Sequence, residues 1–369
     1  MTTLPYRPSS FAQPPENRWR PAARPLGAQL DLVGLGEALV LLQPPAGASL
    51  AAASMLDVHV AGAELNAGAA LARLGGRAAL CTRLGADPFA TRVRATAEAL
   101  GVELLAEADP QRPTGVFFKD VRPDGLRHVY YYRSGSAAAA LGPRDVARVW
   151  SVRPRVVLVS GLTAALSDEP RRAVESARTA REHGIALVVD VNLRPQLGRT
   201  DDAVRAVRSL LPAADLLIVG TDESTEIFGT RRPADIVASA NSAGCGEVVV
   251  KAGADGCWWT DETGNLRHLP SLATRVVDPV GAGDAFTGGY IAGRLSGASA
   301  GGAAWLGAVL AAGVVANVGD TAGLPDRAEA ATLVERAVAW RADVDHVLLN
   351  CQSGPPPPPS HPNLHKGAL

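Results

Sequence analysis

The chain has 369 residues, 47% of them hydrophobic and 20% charged, with a formal net charge of −1. Those are the proportions of a soluble globular protein, and the length suits one large domain or two modest ones. The balanced charge excludes the strongly basic surface that nucleic acid or an anionic membrane would need. Cys81, Cys245, Cys257 and Cys351 show no CxxC spacing. That argues against a zinc site or a disulfide framework and for a reducing cytoplasm. The leader has no apolar h-region, so secretion is not predicted.

In chain order, residues 1–28 are rich in Pro and Arg without a hydrophobic period and read as a disordered tail. Residues 29–350 read as the folded part. Strands are predicted at 30–35, 77–83, 155–160, 186–191, 216–219 and 247–252. Helices are predicted at 63–74, 88–100, 170–183, 201–211, 233–242 and 285–295. This alternation implies an α/β fold, a parallel sheet covered on both faces, with ligands at the carboxyl ends of its strands.

Two β-rich runs break the alternation, 114–120 and 126–133, joined by Arg122-Pro123-Asp124-Gly125, which is good turn chemistry. Residues 50–60 offer another strand. A small sheet from about 44–61 and 113–133 is either a lid over the site or an edge extension with no role in binding. Tyr130, Tyr131, Tyr132 and Arg133 on one run favour the lid. Residues 295–319 are uncharged and dominated by Ala and Gly, which predicts a buried helix packed against a sheet rather than a membrane span. Residues 351–369, with five consecutive prolines from Pro355, read as a second disordered tail. His361 and His365 there have metal-like spacing, but so short a tail stays solvated.

Gly34-Leu35-Gly36 follows a strand and invites a dinucleotide site, but Leu39 stands where the third glycine belongs. No Walker A sequence occurs. The run Asp278-Pro279-Val280-Gly281-Ala282-Gly283-Asp284 is more telling. It leads glycines into a helix and places an acid at the helix start. Bare backbone N–H groups there would hold an anion, and Asp284 could take a proton from a hydroxyl. Phosphoryl transfer needs both. Alone, the tetrapeptide could equally be an ordinary N-cap with Asp284 on the helix dipole.

The surrounding motifs resemble those of the ribokinase-like sugar kinases, the PfkB carbohydrate kinase family. Asp278 to Gly289 is similar to its C-terminal signature. Gly62-Ala63-Glu64-Leu65-Asn66 resembles its sugar-binding glycine motif. Thr82-Arg83-Leu84-Gly85-Ala86-Asp87-Pro88-Phe89, Asp190-Val191-Asn192-Leu193-Arg194 and Lys251-Ala252-Gly253-Ala254-Asp255-Gly256 resemble three further family segments, in the family's order. The resemblance covers nearly all of residues 30–326. It implies a three-layer α/β/α Rossmann-type sheet with a small β-sheet lid.

It also implies roles. Asp284 would be the general base, and Gly281, Ala282 and Gly283 the anion hole. Lys251, Gly253, Asp255 and Gly256 would lie along ATP, with Gly281 and Gly283 near its phosphates. Mg²⁺ would bridge those phosphates, with Glu223 as its carboxylate. Gly220 stands where the family keeps an Asn, and Val280 where it keeps a Thr. A monovalent cation and a homo-oligomer, a dimer or larger, are options the resemblance leaves open.

Within the family, the motif at 62–66 and the run from Tyr131 to Ala138 resemble the 2-keto-3-deoxygluconate kinases. That likeness implies a sugar acid touched by Gly62, Asn66, Phe117, Tyr131, Arg133, Arg194 and Asp320. Phe117 stands where that subgroup often has Tyr. Two guanidiniums facing one pocket are costly unless an anion joins them, which favours a carboxylate ligand; the alternative is that Arg133 is a solvated lid residue and that Arg194 pairs with a structural Asp or touches ATP phosphates. The competing acceptor is a neutral sugar such as fructose, and the competing class is a non-catalytic sugar-acid sensor.

Overall fold

The computed structural model describes residues 25–45, 48–121 and 127–340, with Trp19 and Pro21. Most of both predicted tails and the turn at 122–125 lie outside the described residues.

The strands are β1 (Leu30–Leu35), β2 (Leu39–Gln43), β3 (Asp57–Ala61), β4 (Arg77–Gly85), β5 (Val102–Asp109), β6 (Val116–Val121) and β7 (Arg127–Tyr132). They continue with β8 (Val156–Ser160), β9 (Ala186–Asp190), β10 (Leu216–Gly220), β11 (Glu247–Lys251), β12 (Cys257–Thr260) and β13 (Leu266–Leu269). The large sheet has the order β13-β12-β11-β10-β9-β8-β1-β4-β5. From β11 to β5 every pairing is parallel, and β12 and β13 add an antiparallel edge.

Strand period explains the layers. Leu32, Leu80, Leu158, Val188, Ile218 and Val249 face one apolar core, which Leu65, Phe286, Tyr290 and Trp305 fill from the helices. Val33, Val157, Val189, Leu217 and Val248 face the other, with Val146, Val174, Val207 and Ile236. Both faces are covered, so the central strands read as continuous apolar runs. Each fully buried Leu or Val contributes about 1.5–3 kcal/mol.

Strand order reverses between β1 and β8. Such a switch point opens a crevice at the carboxyl ends of the strands. Over it stands a second sheet, ordered β3-β2-β6-β7. Leu39, Leu41, Ala61 and Phe117 on its inner face cluster with Tyr131.

Several elements differ from the sequence reading. Strand β2 is missing from it although residues 39–42 are an apolar, mostly buried run; the small sheet therefore begins at Leu39, before the expected 44–61, and the strand expected at 50–60 is confined to Asp57–Ala61. Strands β5, β12 and β13 are missing because each is short, at a sheet edge or half-exposed. The helix expected at 170–183 is α-helical over Asp168–Ser176 and tightens to 3₁₀ over Ala177–His183. The uncharged stretch is not one helix. Gly297, at φ 92°, breaks the chain, and Ser299 caps a new helix, Ala300–Val315, by accepting the Gly302 N–H at 3.1 Å.

That helix is buried chiefly against the helix Ala282–Leu295 rather than on the sheet. A Cβ at Gly289 would lie 3.0 Å from the Gly307 Cα, and one at Gly293 would lie 2.9 Å from the Ala303 Cα. The small residues are what let the two backbones touch. Among the described residues, no helix is long and apolar enough to cross a membrane.

The helix Ala282–Leu295 is equally close to Ala63–Arg73, where a Cβ at Gly288 would sit 2.2 Å from the Ala67 carbonyl oxygen. Gly288→Ala is expected to lower stability by about 1–3 kcal/mol through overpacking. Urea unfolding reads this as a lower midpoint; an unchanged midpoint would mean these two helices can part freely.

Candidate active site

Helix Ala282–Leu295 begins at the crevice. Gly281 precedes it in the left-handed region at φ 80°, where a Cβ would lie 2.2 Å from the Asp320 carbonyl oxygen. Only glycine fits that turn. The first-turn N–H groups of a helix have no intrahelical acceptor, so those at 281–284 form the positive end of the helix dipole. Ala282 N–H leans back to the Pro279 carbonyl at 3.4 Å.

Asp284 sits in that first turn. Asn66 Nδ2 donates to its Oδ2 at 2.9 Å and to Asp320 Oδ2 at 3.4 Å. Protein atoms crowd the carboxylate while water still reaches its edge. Burial first, and then the charge of Asp190, push its pKa from 3.8 to about 7; the Asn66 bond, Arg194 and Lys251 pull the other way. A carboxylate poised there can accept a proton near neutral pH. Burial also raises Asp320, against the pull of Lys119 and Asn66.

A cavity of about 670 Å³ gathers most of the residues expected from sequence: Gly62, Asn66, Phe117, Tyr131, Arg133, Arg194, Glu223, Lys251, Gly281, Gly283, Asp284 and Asp320. A second cavity, about 370 Å³ and mainly apolar, shares Lys251, Pro279 and Gly283 with the first. Ala282, Gly253 and Gly256 line it, with Leu272, Val276, Phe286 and Val315. Gly256, at φ 88°, keeps its turn open against the Leu269 carbonyl, which a Cβ would approach to 2.0 Å. Asp255 is on neither wall. It is exposed beside a separate cleft with Trp258 and His268, and its carbonyl accepts from His268 Nε2 at 2.6 Å.

The cations of the large cavity are mostly spoken for. Arg133 is buried against Glu37, which also accepts the Ser136 hydroxyl at 2.7 Å. The anion expected to join Arg133 is thus a side chain of the protein itself. Lys251 Nζ is 3.1 Å from both oxygens of Asp190, which accepts the Thr287 hydroxyl at 2.7 Å. Lys119 pairs with Asp278 at 2.5 Å. Arg194 differs: its NH1 donates to the Leu193 carbonyl at 3.0 Å, and no carboxylate among the described residues lies within ion-pair distance.

Glu223 lies in the cavity wall, with each oxygen already accepting a backbone N–H at 2.7 Å, from Gly220 and from Leu193. Gly220 makes room for it, since a Cβ there would sit 3.1 Å from Glu223 Oε1. Burial raises its pKa. No group of three or more His, Cys, Asp or Glu able to hold a metal occurs among the described residues.

Sequence reasoning did not single out Glu37, or Lys119 as the partner of Asp278. One signal was available: the chain has only three lysines, Lys119, Lys251 and Lys366, and the first two both line this cavity. The Gly34 and Gly36 pair also acquires a reason. A Cβ at Gly36 would lie 2.1 Å from Glu64 Oε2, so these glycines admit the buried Glu64 carboxyl, which Ser160 and Thr163 hydroxyls hold at 2.5 and 2.9 Å.

The raised Asp284 pKa carries a stability consequence. The folded protein keeps this proton to about pH 7 and the unfolded chain only to about 3.8, so ionisation costs stability as pH rises between them. Asp284→Asn is therefore expected to be the more stable protein at pH 8, by up to roughly 4 kcal/mol, with the gap closing towards pH 4. Urea unfolding at both pH values measures it; a gap independent of pH would contradict the shift.

Residues 29–327 match the pfkB family of carbohydrate kinases. A 2-dehydro-3-deoxygluconokinase of Thermoproteus tenax is 32% identical over 329 residues, spanning 87% of this chain and 99% of that protein. A 2-dehydro-3-deoxygalactonokinase of Haloferax volcanii is 31% identical, over 72% of this chain and 85% of its own. The crystal structure of a PfkB protein from Polaromonas sp. JS666 superposes with a TM-score of 0.72 at 31% identity, over 82% of this chain and 99% of that one. With that match over most of its length, and with the glycine turn, the crowded Asp284 carboxylate and the paired cavities in place, the chain belongs to the pfkB family of carbohydrate kinases.

Proposed function

We propose that this kinase transfers the γ-phosphate of ATP to the terminal hydroxyl of a 2-keto-3-deoxy sugar acid, foremost 2-keto-3-deoxygluconate. The observation that carries the reading is Arg194. It is a cation in the same cavity as Asp284, with no carboxylate among the described residues in ion-pair distance. Arg194 is exposed to water, so its guanidinium stands without a protein anion and is free to take a ligand carboxylate in a planar, two-point contact. The names of the similar kinases agree with that chemistry.

The adenine would occupy the apolar cavity, and the phosphates would run past Lys251 to the N–H groups of Gly281, Ala282 and Gly283. Those amides hold charge that grows on the transferred group, which is a large part of such catalysis. Arg194 fixes the acid end of the acceptor, and Asn66 Oδ1, buried without a donor among the described residues, can accept one of its hydroxyls. Phe117 and Tyr131 cover the sugar carbons. The far hydroxyl then meets Asp284, which takes its proton as the oxygen attacks phosphorus in line.

Mg²⁺, when bound, neutralises the phosphate oxygens. Of the carboxylates on the cavity wall, Asp222, Glu223, Asp284 and Asp320, Glu223 would hold the ion, through water where its oxygens already accept backbone N–H groups. The small sheet acts as the lid that excludes water during transfer. Its outer face, with Tyr130 and Tyr132 exposed, is the surface proposed to pair in a homo-oligomer.

The test is ATP consumption by the purified chain with 2-keto-3-deoxygluconate, 2-keto-3-deoxygalactonate, fructose and a nucleoside as acceptors. The acids are expected to give the highest kcat/KM. Arg194→Ala should raise their KM roughly 10- to 100-fold, the worth of a charged hydrogen bond, and leave neutral acceptors nearly unchanged. Preference for fructose, or equal effects on acids and neutral sugars, would overturn the reading.

A further inference from the structure

The Lys119–Asp278 pair joins two parts of the molecule that the sequence separates by 159 residues. Lys119 stands on β6 of the small sheet, and Asp278 precedes the turn that carries Gly281. Both side chains are almost wholly buried, and the pair closes at 2.5 Å. Asp278 uses its other oxygen on that turn, accepting the Val280 N–H at 3.2 Å. Its own N–H bonds the Val315 carbonyl at 3.2 Å, which anchors the strand-like approach to the helix Ala300–Val315. On the far side, Gly281 lies against the Asp320 backbone, and the Lys119 charge also reaches the Asp320 carboxyl. One ammonium group therefore stands between the two chain segments that shape the turn.

We infer that Lys119 is a positioning residue for phosphoryl transfer: it docks the small sheet onto Asp278 and so holds the 279–281 turn that sets where the N–H groups of Gly281, Ala282 and Gly283 point. A buried lysine and aspartate hold each other where neither could stay alone, because an unpaired charge at such a depth is strongly disfavoured. Withdrawing the small sheet would pull the ammonium off Asp278 and free the Val280 turn. Seating it restores the turn. The anion hole is then formed when the cavity is covered and relaxed when it is open. Coupling of this kind keeps the donor phosphate from meeting water in the open state.

The inference rests on phosphoryl transfer at this turn but not on which acceptor is used. Each variant is compared with the unsubstituted chain on whichever acceptor that chain turns over best, so a wrong acceptor changes the baseline and not the ratios. Lys119→Met keeps the length of the side chain and removes its charge. It is expected to lower kcat roughly 100-fold, the usual penalty for an ångström of misplacement, with acceptor KM changed less than about threefold. Lys119→Arg should restore most of kcat. The double variant Lys119→Met with Asp278→Asn, which removes both charges of this pair, should fold and still turn over slowly.

A large rise in acceptor KM with kcat preserved would make Lys119 a substrate contact and overturn the inference. So would a double variant with full kcat, since the pair would then serve stability alone. Unfolding curves on all three variants ensure that a lost kcat is read from folded protein.

Discussion

Backbone N–H groups without helical acceptors and a carboxylate must share one helix turn, at the floor of a cavity whose walls crowd them with protein atoms. That requirement governs the rest of the structure. The N–H groups exist because Gly281 bends the chain into a conformation only glycine takes at so small a distance from Asp320. The carboxylate is there because Asp284 occupies the first turn, steadied by Asn66. The floor is available because strand order reverses between β1 and β8, which opens the crevice at the carboxyl ends of the parallel strands. The small glycine contacts that seat the helix Ala282–Leu295 against its neighbours serve the same end, for they fix where its first turn points.

A cavity built to hold phosphates must also be cationic without flying apart. The protein meets this by pairing. Arg133 has Glu37, Lys251 has Asp190 and Lys119 has Asp278. Such pairs contribute little net stability, since desolvation offsets their attraction. They do fix geometry, because each joins different elements around the crevice. Arg194 is outside this scheme, with no carboxylate among the described residues in ion-pair distance, and is the group proposed to meet the charge of an acceptor. The same division explains how a chain with a net charge of −1 can take two anionic substrates into one site.

Much of this was legible in the sequence, and the reasons are physical. Strands β1, β8, β9, β10 and β11 are buried on both faces, so their apolar runs stand out. The glycine turn at 281–283 and the end of β9 were legible because their spacing is local. Edge strands were not, since β5 alternates charge with Leu and Ala and is half-exposed along its length. Nor were the ion pairs: Glu37 and Lys119 meet partners far along the chain, and no pattern of period two or 3.6 encodes a contact between elements. Glu64 illustrates the same limit. Its burial accounts for Gly34 and Gly36, which in isolation read as part of a dinucleotide loop.

The central claim is that Asp284 is the base and that burial sets when it works. The measurement that addresses this most directly is the pH dependence of kcat/KM for the acceptor, with ATP and Mg²⁺ saturating. A carboxylate pushed up to about 7 gives an acid limb with that apparent pKa, rate rising as pH increases through it. A profile flat from pH 5 to 9, or a limb near the ordinary carboxylate value of about 4, would contradict it.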